Sequence, residues 1–411
     1  MNIVKKIKNK LSSLGPGSVV AAAFIGPGTV TICTLAGVKF GTDLLWSLFI
    51  AILATIVLQS MAVKAGLITR KNLTQIIIDE LKNPIIKYGI ITLILLSIVI
   101  GNTAYESGNI SGAVLGLETL FGSLNFRIGD NVFNLYPIII GLISGFILWS
   151  GKFKIIERFL IILVVIMSFS FVLTTFFTNP DVLTIFKGLL YFKTPNESLL
   201  TIMALIGTTI VPYNLFLHAE LVKKKWFKKS DLPFAYKDLI IAISIGGFVS
   251  LCIIITASNI DSYEINNAGD LAIGLEPIFG IFAKYLIAIG LFAAGITSTI
   301  TAPLAAAFVV CGCFGLPSNL KSLHFKFTWI LIIFFGVIIS TTGLKLISII
   351  RFAQITNGIL LPIIASLLLW IMNKSNLMGD YKNSFFKNFI ACLIVLLSFL
   401  LSIKTILLII Q

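Results

Sequence analysis

Two long hydrophobic segments of this chain are interrupted at their centres, and these interruptions restrict the fold more than any other feature. The first segment, 17–37, contains a Gly-Pro-Gly-Thr sequence at 26–29, and the second contains Gly-Thr-Thr-Ile-Val-Pro-Tyr-Asn at 207–214. Proline removes a backbone donor and glycine disfavours a helix, so we expect two broken helices. Unwound backbone in a membrane is tolerated only where protein covers it or where it lines a cavity. Paired breaks therefore predict the central site of a transporter.

Composition places the chain among polytopic membrane proteins. It has 411 residues, of which 57% are hydrophobic and only 12% are charged. The net charge of +14 needs no nucleic-acid partner, because basic residues of membrane proteins collect on the cytoplasmic side. The five cysteines lack zinc-like spacing, so we expect neither a metal site nor a disulfide. The basic start has no cleavage site, and we expect no signal peptide.

Eleven apolar spans of membrane-crossing length predict an all-α integral membrane protein with the lipid bilayer as its environment. The predicted spans are approximately 17–37, 44–65, 86–117, 135–150, 155–177, 199–222, 238–257, 278–310, 327–342, 345–372 and 386–409.

The connections between the spans predict the orientation. Lysines and arginines cluster at 70–82, 152–158 and 223–237, all on the side of the basic N-terminus, whereas the connection 258–276 is acidic. We therefore expect a cell (plasma) membrane protein with a cytoplasmic N-terminus and an external C-terminus.

The two breaks fall in spans one and six, which divides the first ten spans into two sets of five. An odd number per set forces the two halves into opposite orientations, so we predict a LeuT-type fold, a 5+5 inverted repeat with an additional eleventh helix. Residues 1–411 then form a single transmembrane domain. Its parts are repeat one at about 17–177, repeat two at about 199–372 and the additional helix at about 386–409.

The sequence around the second break also resembles a known family. Residues 207–222, Gly-Thr-Thr-Ile-Val-Pro-Tyr-Asn-Leu-Phe-Leu-His-Ala-Glu-Leu-Val, are similar to the Gly-Ala-Thr-Val-Met-Pro-His-Asn-Leu-Tyr-Leu-His-Ser-Ala-Leu-Val of the NRAMP family of proton-coupled divalent metal transporters. The resemblance continues at 293–301, at Gln354 with Pro362, and at 377–379, and it covers nearly the whole chain.

The departures from the family pattern bear on the substrate. The resemblance implies a metal held by an Asp, an Asn, a Met sulfur and backbone carbonyls, but Gly26, Thr29 and Val211 occupy those side-chain positions here. In addition, Thr208 replaces an alanine and Tyr213 replaces a histidine. A divalent cation stripped of water needs negative charge or many strong oxygen ligands. We therefore expect tight manganese or iron binding to be lost.

An anion suits the remaining chemistry better. Half-helices that restart after Gly28 and after Pro212 would point positive ends at the cavity. The hydroxyls of Thr29, Thr31 and Tyr213 and the amide of Asn214 add donors. Arg351 lies about two turns inside span ten, three residues before Gln354, and we leave open whether it contacts substrate or pairs with Glu106. Lys284 either lines the approach to the site or extends to the membrane interface, which we favour.

The resemblance also implies a proton route. Glu106 and Asn109, one turn apart in span three, match positions at which the family has acidic residues, and His218 matches a family histidine. A buried network of polar side chains between helices is the alternative role for these residues.

We predict a secondary transporter that imports a small inorganic anion, bicarbonate being favoured, by symport with sodium or protons and by alternating access. The alternatives are a divalent metal cation transporter of altered selectivity, for manganese or magnesium, and a receptor or scaffold without transport. The sequence contains no nucleophile with an adjacent base and no phosphate-binding glycine loop, so we expect no enzyme activity and no cofactor.

Overall fold

A computed structural model describes residues 25–410, apart from 130, 151–153, 261–263 and 343. The described chain is helical except for one short antiparallel hairpin, in which Asn125 lies opposite Asn134. In chain order the elements are α1 Pro27–Phe40, α2 Leu45–Thr69, α3 Leu73–Glu80, α4 Pro84–Leu95, a π-helical turn Leu96–Ile100, α5 Gly101–Phe121, β1 Asn125–Ile128, β2 Asn131–Asn134, α6 Tyr136–Ser150, α7 Lys154–Phe177, α8 Val182–Leu190, α9 Leu199–Thr209, α10 Pro212–Lys225, α11 Leu232–Ala257, α12 Ala268–Ala272, α13 Glu276–Phe279, α14 Phe282–Cys313, α15 Leu323–Thr341, α16 Leu346–Met372, α17 Ser375–Met378 and α18 Phe385–Ile410.

Each predicted span coincides with helical structure in the described chain, although 199–222 is divided between α9 and α10 and 86–117 between α4, the π-helical turn and α5. Among the described residues, eight helical stretches are long and apolar enough to cross a membrane, with α9 and α10 counted as one; the longest is Pro84–Phe121. A ninth span is possible if Ile161–Phe177 is counted with α8, which follows it at a bend of 117°. The helix at the predicted fourth span, α6, has only 15 residues. The described part of the first span is α1, since residues before Ile25 lie outside the described chain.

Small residues allow the central helices to approach closely. A Cβ atom at Gly116 would lie 2.3 Å from the carbonyl oxygen of Ala288 in α14, and one at Gly295 would lie 2.8 Å from the carbonyl oxygen of Asn109 in α5. Close backbone approach of this kind is the usual basis of helix packing in membranes. The polar turn of α5 that contains Asn109 is thereby held in the protein interior.

Connections that are basic in the sequence lie together at one end of the helices. The Arg70 guanidinium, after α2, donates to the carbonyl oxygens of Lys223 and Trp226, at the end of α10. We call this end the basic face. At the opposite face Lys193 and Asp43 form an ion pair of 3.1 Å. The side chains of the basic cluster at 152–158 lie outside the described residues.

Candidate functional site

The two helix breaks meet inside the protein. Helix α9 ends at Thr209, and α10 begins at Pro212 after the extended Val211. Helix α1 begins at Pro27 after the extended Gly26. The hydroxyl oxygens of Thr29 and Thr208 lie 2.9 Å apart, so a hydrogen bond joins the two breaks. The second predicted interruption is therefore present, and the start of α1 lies beside it; the residues before Ile25, on the other side of the first predicted interruption, lie outside the described chain.

The restart of the first helix differs from the prediction. The sequence led us to expect the helix to resume after Gly28, whereas α1 begins at Pro27 and already includes Gly28 and Thr29 in its first turn. The reason is that proline suits the first position of a helix, where its missing N–H costs nothing. Neither α1 nor α10 has a side-chain cap at its start. The positive ends of both helices therefore lie buried in the protein without a capping side chain.

Gln354 of α16 packs tightly between the two breaks. A Cβ atom at Gly28 would lie 2.3 Å from the Gln354 side-chain nitrogen, and one at Gly207 would lie 1.8 Å from the Gln354 carbonyl oxygen. Because residues 28 and 207 are glycines, α16 can pack directly against both breaks. Gln354 is 1% exposed, so its amide belongs to the interior of the site.

Several buried polar atoms around the breaks have no hydrogen-bond partner within the described chain. They are the hydroxyl oxygens of Thr31 and Tyr213 and the amide oxygens of Asn214 and Gln354. Buried polar atoms are normally paired, so this set is available to a ligand or to water. The described residues contain no group of three or more His, Cys, Asp or Glu side chains arranged to hold a metal ion.

The predicted coupling residues form a buried pair in α5. The Asn109 amide donates to a carboxylate oxygen of Glu106 over 3.3 Å, and the second carboxylate oxygen of Glu106 has no partner in the described chain. Glu106 is fully buried and packs against Gly336 of α15. The possibility that Arg351 pairs with Glu106 is not realised, since the described ion pairs include neither residue.

Arg351 lies instead beside α1 and α9, one helical turn from Gln354. With Lys39 it lines a small cavity of about 10 Å³ whose other walls are neutral. The remaining lining residues are Ile32, Leu35, Thr201 and Ala204. Two cations and no carboxylate therefore line this small cavity.

His218 is not in contact with Glu106 or Asn109. Its Nδ1 lies 2.9 Å from the side-chain oxygen of Gln59 in α2, and its Nε2 is buried without a partner in the described chain. The sequence-predicted residues thus separate into a group at the breaks, a pair on α5 and a histidine bound to α2.

Sequence reasoning missed three residues of this region. Lys39 lines the same cavity as Arg351, Gln59 hydrogen-bonds His218, and the Tyr105 ring packs edge-on against the Tyr213 ring at 5.3 Å between centroids. Each contact joins distant parts of the chain. The one local signal was the isolated positive charge of Lys39 near the end of the first span.

Comparison with known proteins connects this site to one family. The model of the natural resistance-associated macrophage protein-like (Nramp) family matches residues 17–408. The divalent metal cation transporter MntH of Staphylococcus haemolyticus is 30% identical over 416 residues, covering 95% of this chain and 90% of that protein. The protein of the same name from Staphylococcus saprophyticus is 28% identical, covering 97% and 93%.

Solved structures show the same fold. A crystal structure of the Eremococcus coleocola manganese transporter aligns with a TM-score of 0.76 and 23% identity, covering 95% of this chain and 85% of that one. The nucleobase-cation-symport-1 family transporter Mhp1 aligns with a TM-score of 0.57 and 15% identity, covering 92% and 81%. The predicted LeuT-type architecture is confirmed.

Proposed function

This chain belongs to the Nramp family of secondary transporters, and we propose that it imports a small inorganic oxyanion, bicarbonate being favoured, instead of a divalent metal. The main observation in support of this proposal is that positive side chains lie near the breaks and that no carboxylate lies at the break positions. Arg351 and Lys39 line a small cavity beside the site, Arg351 lying one helical turn from Gln354, and Gly26, Thr29 and Val211 provide neither a carboxylate nor a sulfur. A partly buried Arg351 cation, with no carboxylate at the break positions, favours a negative ion over a divalent cation.

The neutral groups of the site support the same proposal. The starts of α1 and α10 lack capping side chains, and helix starts favour anions. The hydroxyls of Thr31 and Tyr213 are buried without partners in the described chain and can donate to an oxyanion. Thr29 and Thr208, which are hydrogen-bonded to each other, place two further hydroxyl groups between the breaks.

A divalent metal is the second candidate substrate, and two observations favour it. The relatives are named as divalent metal cation transporters. The amide oxygens of Asn214 and Gln354 are also buried and unpartnered in the described chain, and oxygen atoms of this type are ligands for manganese or magnesium. Two neutral amides are a weak ligand set for a dehydrated divalent ion, which is why we rank this candidate second.

Anion import requires coupling, because an interior-negative membrane opposes an entering anion by about 2.3 kcal/mol per charge per 100 mV. We assign this role to Glu106, with sodium or protons as the coupling ion. A polar cavity of about 730 Å³, lined in part by Glu118, Lys345 and Ser340, lies at one end of α5. The Ser340 hydroxyl donates to the Ser107 carbonyl oxygen over 2.9 Å, next to Glu106. A residue of the cavity lining is therefore hydrogen-bonded to Ser107, which is next to Glu106 in the sequence.

Glu106→Gln is expected to abolish gradient-driven accumulation while leaving exchange of internal for external bicarbonate. The substitution keeps the shape and removes the group that binds a coupling cation. The measurement is labelled-bicarbonate uptake into proteoliposomes with and without inward sodium or proton gradients, with Glu197→Gln, at an exposed glutamate outside this cavity, as the control. If bicarbonate uptake by Glu106→Gln depended on the gradient as strongly as uptake by the unmodified protein, Glu106 would not be the coupling residue.

Restoring the three family ligands tests the substrate assignment. The combined variant Gly26→Asp, Thr29→Asn and Val211→Met is expected to gain manganese uptake and to lose bicarbonate uptake at least tenfold, about 1.4 kcal/mol. An internal metal-quenched dye and labelled bicarbonate report the two fluxes. Val211→Met alone adds bulk and sulfur without charge, and it should not confer manganese uptake. Unchanged bicarbonate uptake in the combined variant would place the anion site away from the breaks.

We further propose that the basic face is cytoplasmic, which puts the N-terminus inside and the C-terminus outside. The proposed boundaries of the repeats remain about 17–177 and 199–372, with the added helix at about 386–409.

A further inference from the structure

A second cationic site lies in a groove near the basic face, between α2, α11 and the start of α18. The groove has a volume of about 260 Å³ and is lined by Lys64, Lys387, Tyr236 and Asn383, with Met61 and isoleucines among its other walls. None of the residues that line it is acidic. The groove is distinct from the helix breaks and from the transport site proposed above.

Lys64 is the unusual member of this groove. It lies five residues before the end of α2, a depth of roughly 8 Å along the helix. A lysine at that depth normally extends its ammonium group to the interface. Here the residue is only 5% exposed, and its ammonium donates to the Asn383 amide oxygen over 2.8 Å. The protein therefore holds a buried cation on a neutral partner.

Asn383 is itself fixed in place for this contact. Its backbone N–H donates to the Met372 carbonyl oxygen over 3.0 Å, and its side-chain nitrogen lies 3.3 Å from the Met61 sulfur. The amide oxygen is thus directed at Lys64. The contacts of Asn383 therefore fix the position of the Lys64 ammonium.

The charge of this groove is not neutralised by the described protein. No described ion pair includes Lys64 or Lys387. The first 24 residues contain no Asp or Glu, so that part of the sequence offers no counter-charge either. A buried ion without a counter-ion is costly, and an anionic ligand would remove the cost.

The surroundings of the groove identify the source of that anion. Ile240 in its wall is 43% exposed and, like the other outward apolar residues of α11, faces the hydrocarbon of the bilayer. Asn376, close to the groove in sequence, donates to Glu80 of α3, which places this segment at the basic face. Basic pockets between helices at a membrane surface bind anionic lipid head groups. We propose that this groove binds the phosphate head group of an anionic phospholipid.

The proposal assigns a role to each group. The Lys64 ammonium and Lys387 contact the phosphate, the Tyr236 hydroxyl can donate to it, and the isoleucine walls cover the start of an acyl chain. Because α18 begins at this groove, bound lipid would attach the eleventh helix to α2 and α11. The lipid thereby stabilises the packing of the additional helix on the transporter core.

The test uses the purified full-length protein in a neutral detergent. Phosphatidylglycerol should raise the melting temperature by several degrees, whereas phosphatidylcholine and inorganic phosphate should not. Lys387→Ala should lose most of that increment, and Lys382→Ala, an exposed lysine outside the groove, should keep it. Lys64→Met should lose the increment without lowering the melting temperature measured without lipid, because it removes an uncompensated buried cation.

Native mass spectrometry of the same samples would count retained phosphatidylglycerol. Equal retention and equal stabilisation in the unmodified protein and Lys387→Ala would overturn the proposal, whether or not Lys64→Met folds. Stabilisation by inorganic phosphate alone would also overturn it, because the ligand would then be a soluble anion and not a lipid.

Discussion

Arg351→Ala lowers bicarbonate uptake into proteoliposomes at least tenfold at low substrate concentration, which corresponds to about 1.4 kcal/mol. Arg351 lies one helical turn from Gln354 and shares a small cavity with Lys39, so its removal takes away the cation nearer to the breaks. The loss should appear mainly as a higher KM, because the cation attracts the substrate in its ground state. Adding salt should weaken uptake by the unmodified protein more than uptake by the variant.

Two further variants separate charge from structure at this position. Arg351→Lys keeps the charge and should retain most of the uptake. Lys284→Ala removes an exposed cation at the start of α14, whose ammonium lies 5.0 Å from the Tyr285 ring, and it should change nothing. Unchanged uptake in Arg351→Ala would end the argument that positive charge selects the substrate.

Gly207→Ala is expected to prevent α16 from packing against the second break. The variant should therefore have a lower melting temperature and no transport activity. The new Cβ would lie 1.8 Å from the carbonyl oxygen of Gln354, a backbone atom that cannot rotate away. Overpacking of this kind costs about 1–3 kcal/mol where side chains can adjust, and more where the backbone must move. We expect a lower melting temperature in detergent and no detectable uptake of either substrate.

Gly145→Ala is the matched control for this substitution. It also lies inside a helix, but its nearest neighbour, a ring carbon of Trp329, would be 3.8 Å from the new Cβ, an ordinary contact. The variant should fold and transport normally. Normal stability of Gly207→Ala would mean that α16 does not pack against the second break as described.

The positions of the prolines allowed the breaks to be predicted from the sequence. Pro212 begins α10 after a gap of two residues from the end of α9, and Pro27 begins α1 at the described edge of the first span. The apolar spans and the basic connections likewise follow from local composition. Proline and hydropathy act within a few residues, so the sequence alone could predict their consequences.

Contacts between distant segments could not be predicted in the same way. The fit of Gln354 against Gly28 and Gly207 depends on how α16 crosses the breaks, and this crossing is set by the packing of several helices. The same holds for Arg351, whose neighbour proved to be Lys39 and not Glu106. Lys64 gave no signal in the sequence, because a lysine near a helix end ordinarily lies at the interface.

The central claim, that an oxyanion replaces the metal, is tested most directly by parallel fluxes through the unmodified protein in proteoliposomes. Manganese arrival is followed with an internal metal-quenched dye, and labelled bicarbonate is followed under inward sodium or proton gradients. The account predicts gradient-dependent bicarbonate uptake and manganese signals no greater than in empty vesicles. Robust manganese uptake without bicarbonate uptake would contradict it and would show that the amide oxygens of Asn214 and Gln354, with backbone carbonyls, suffice to bind a divalent metal.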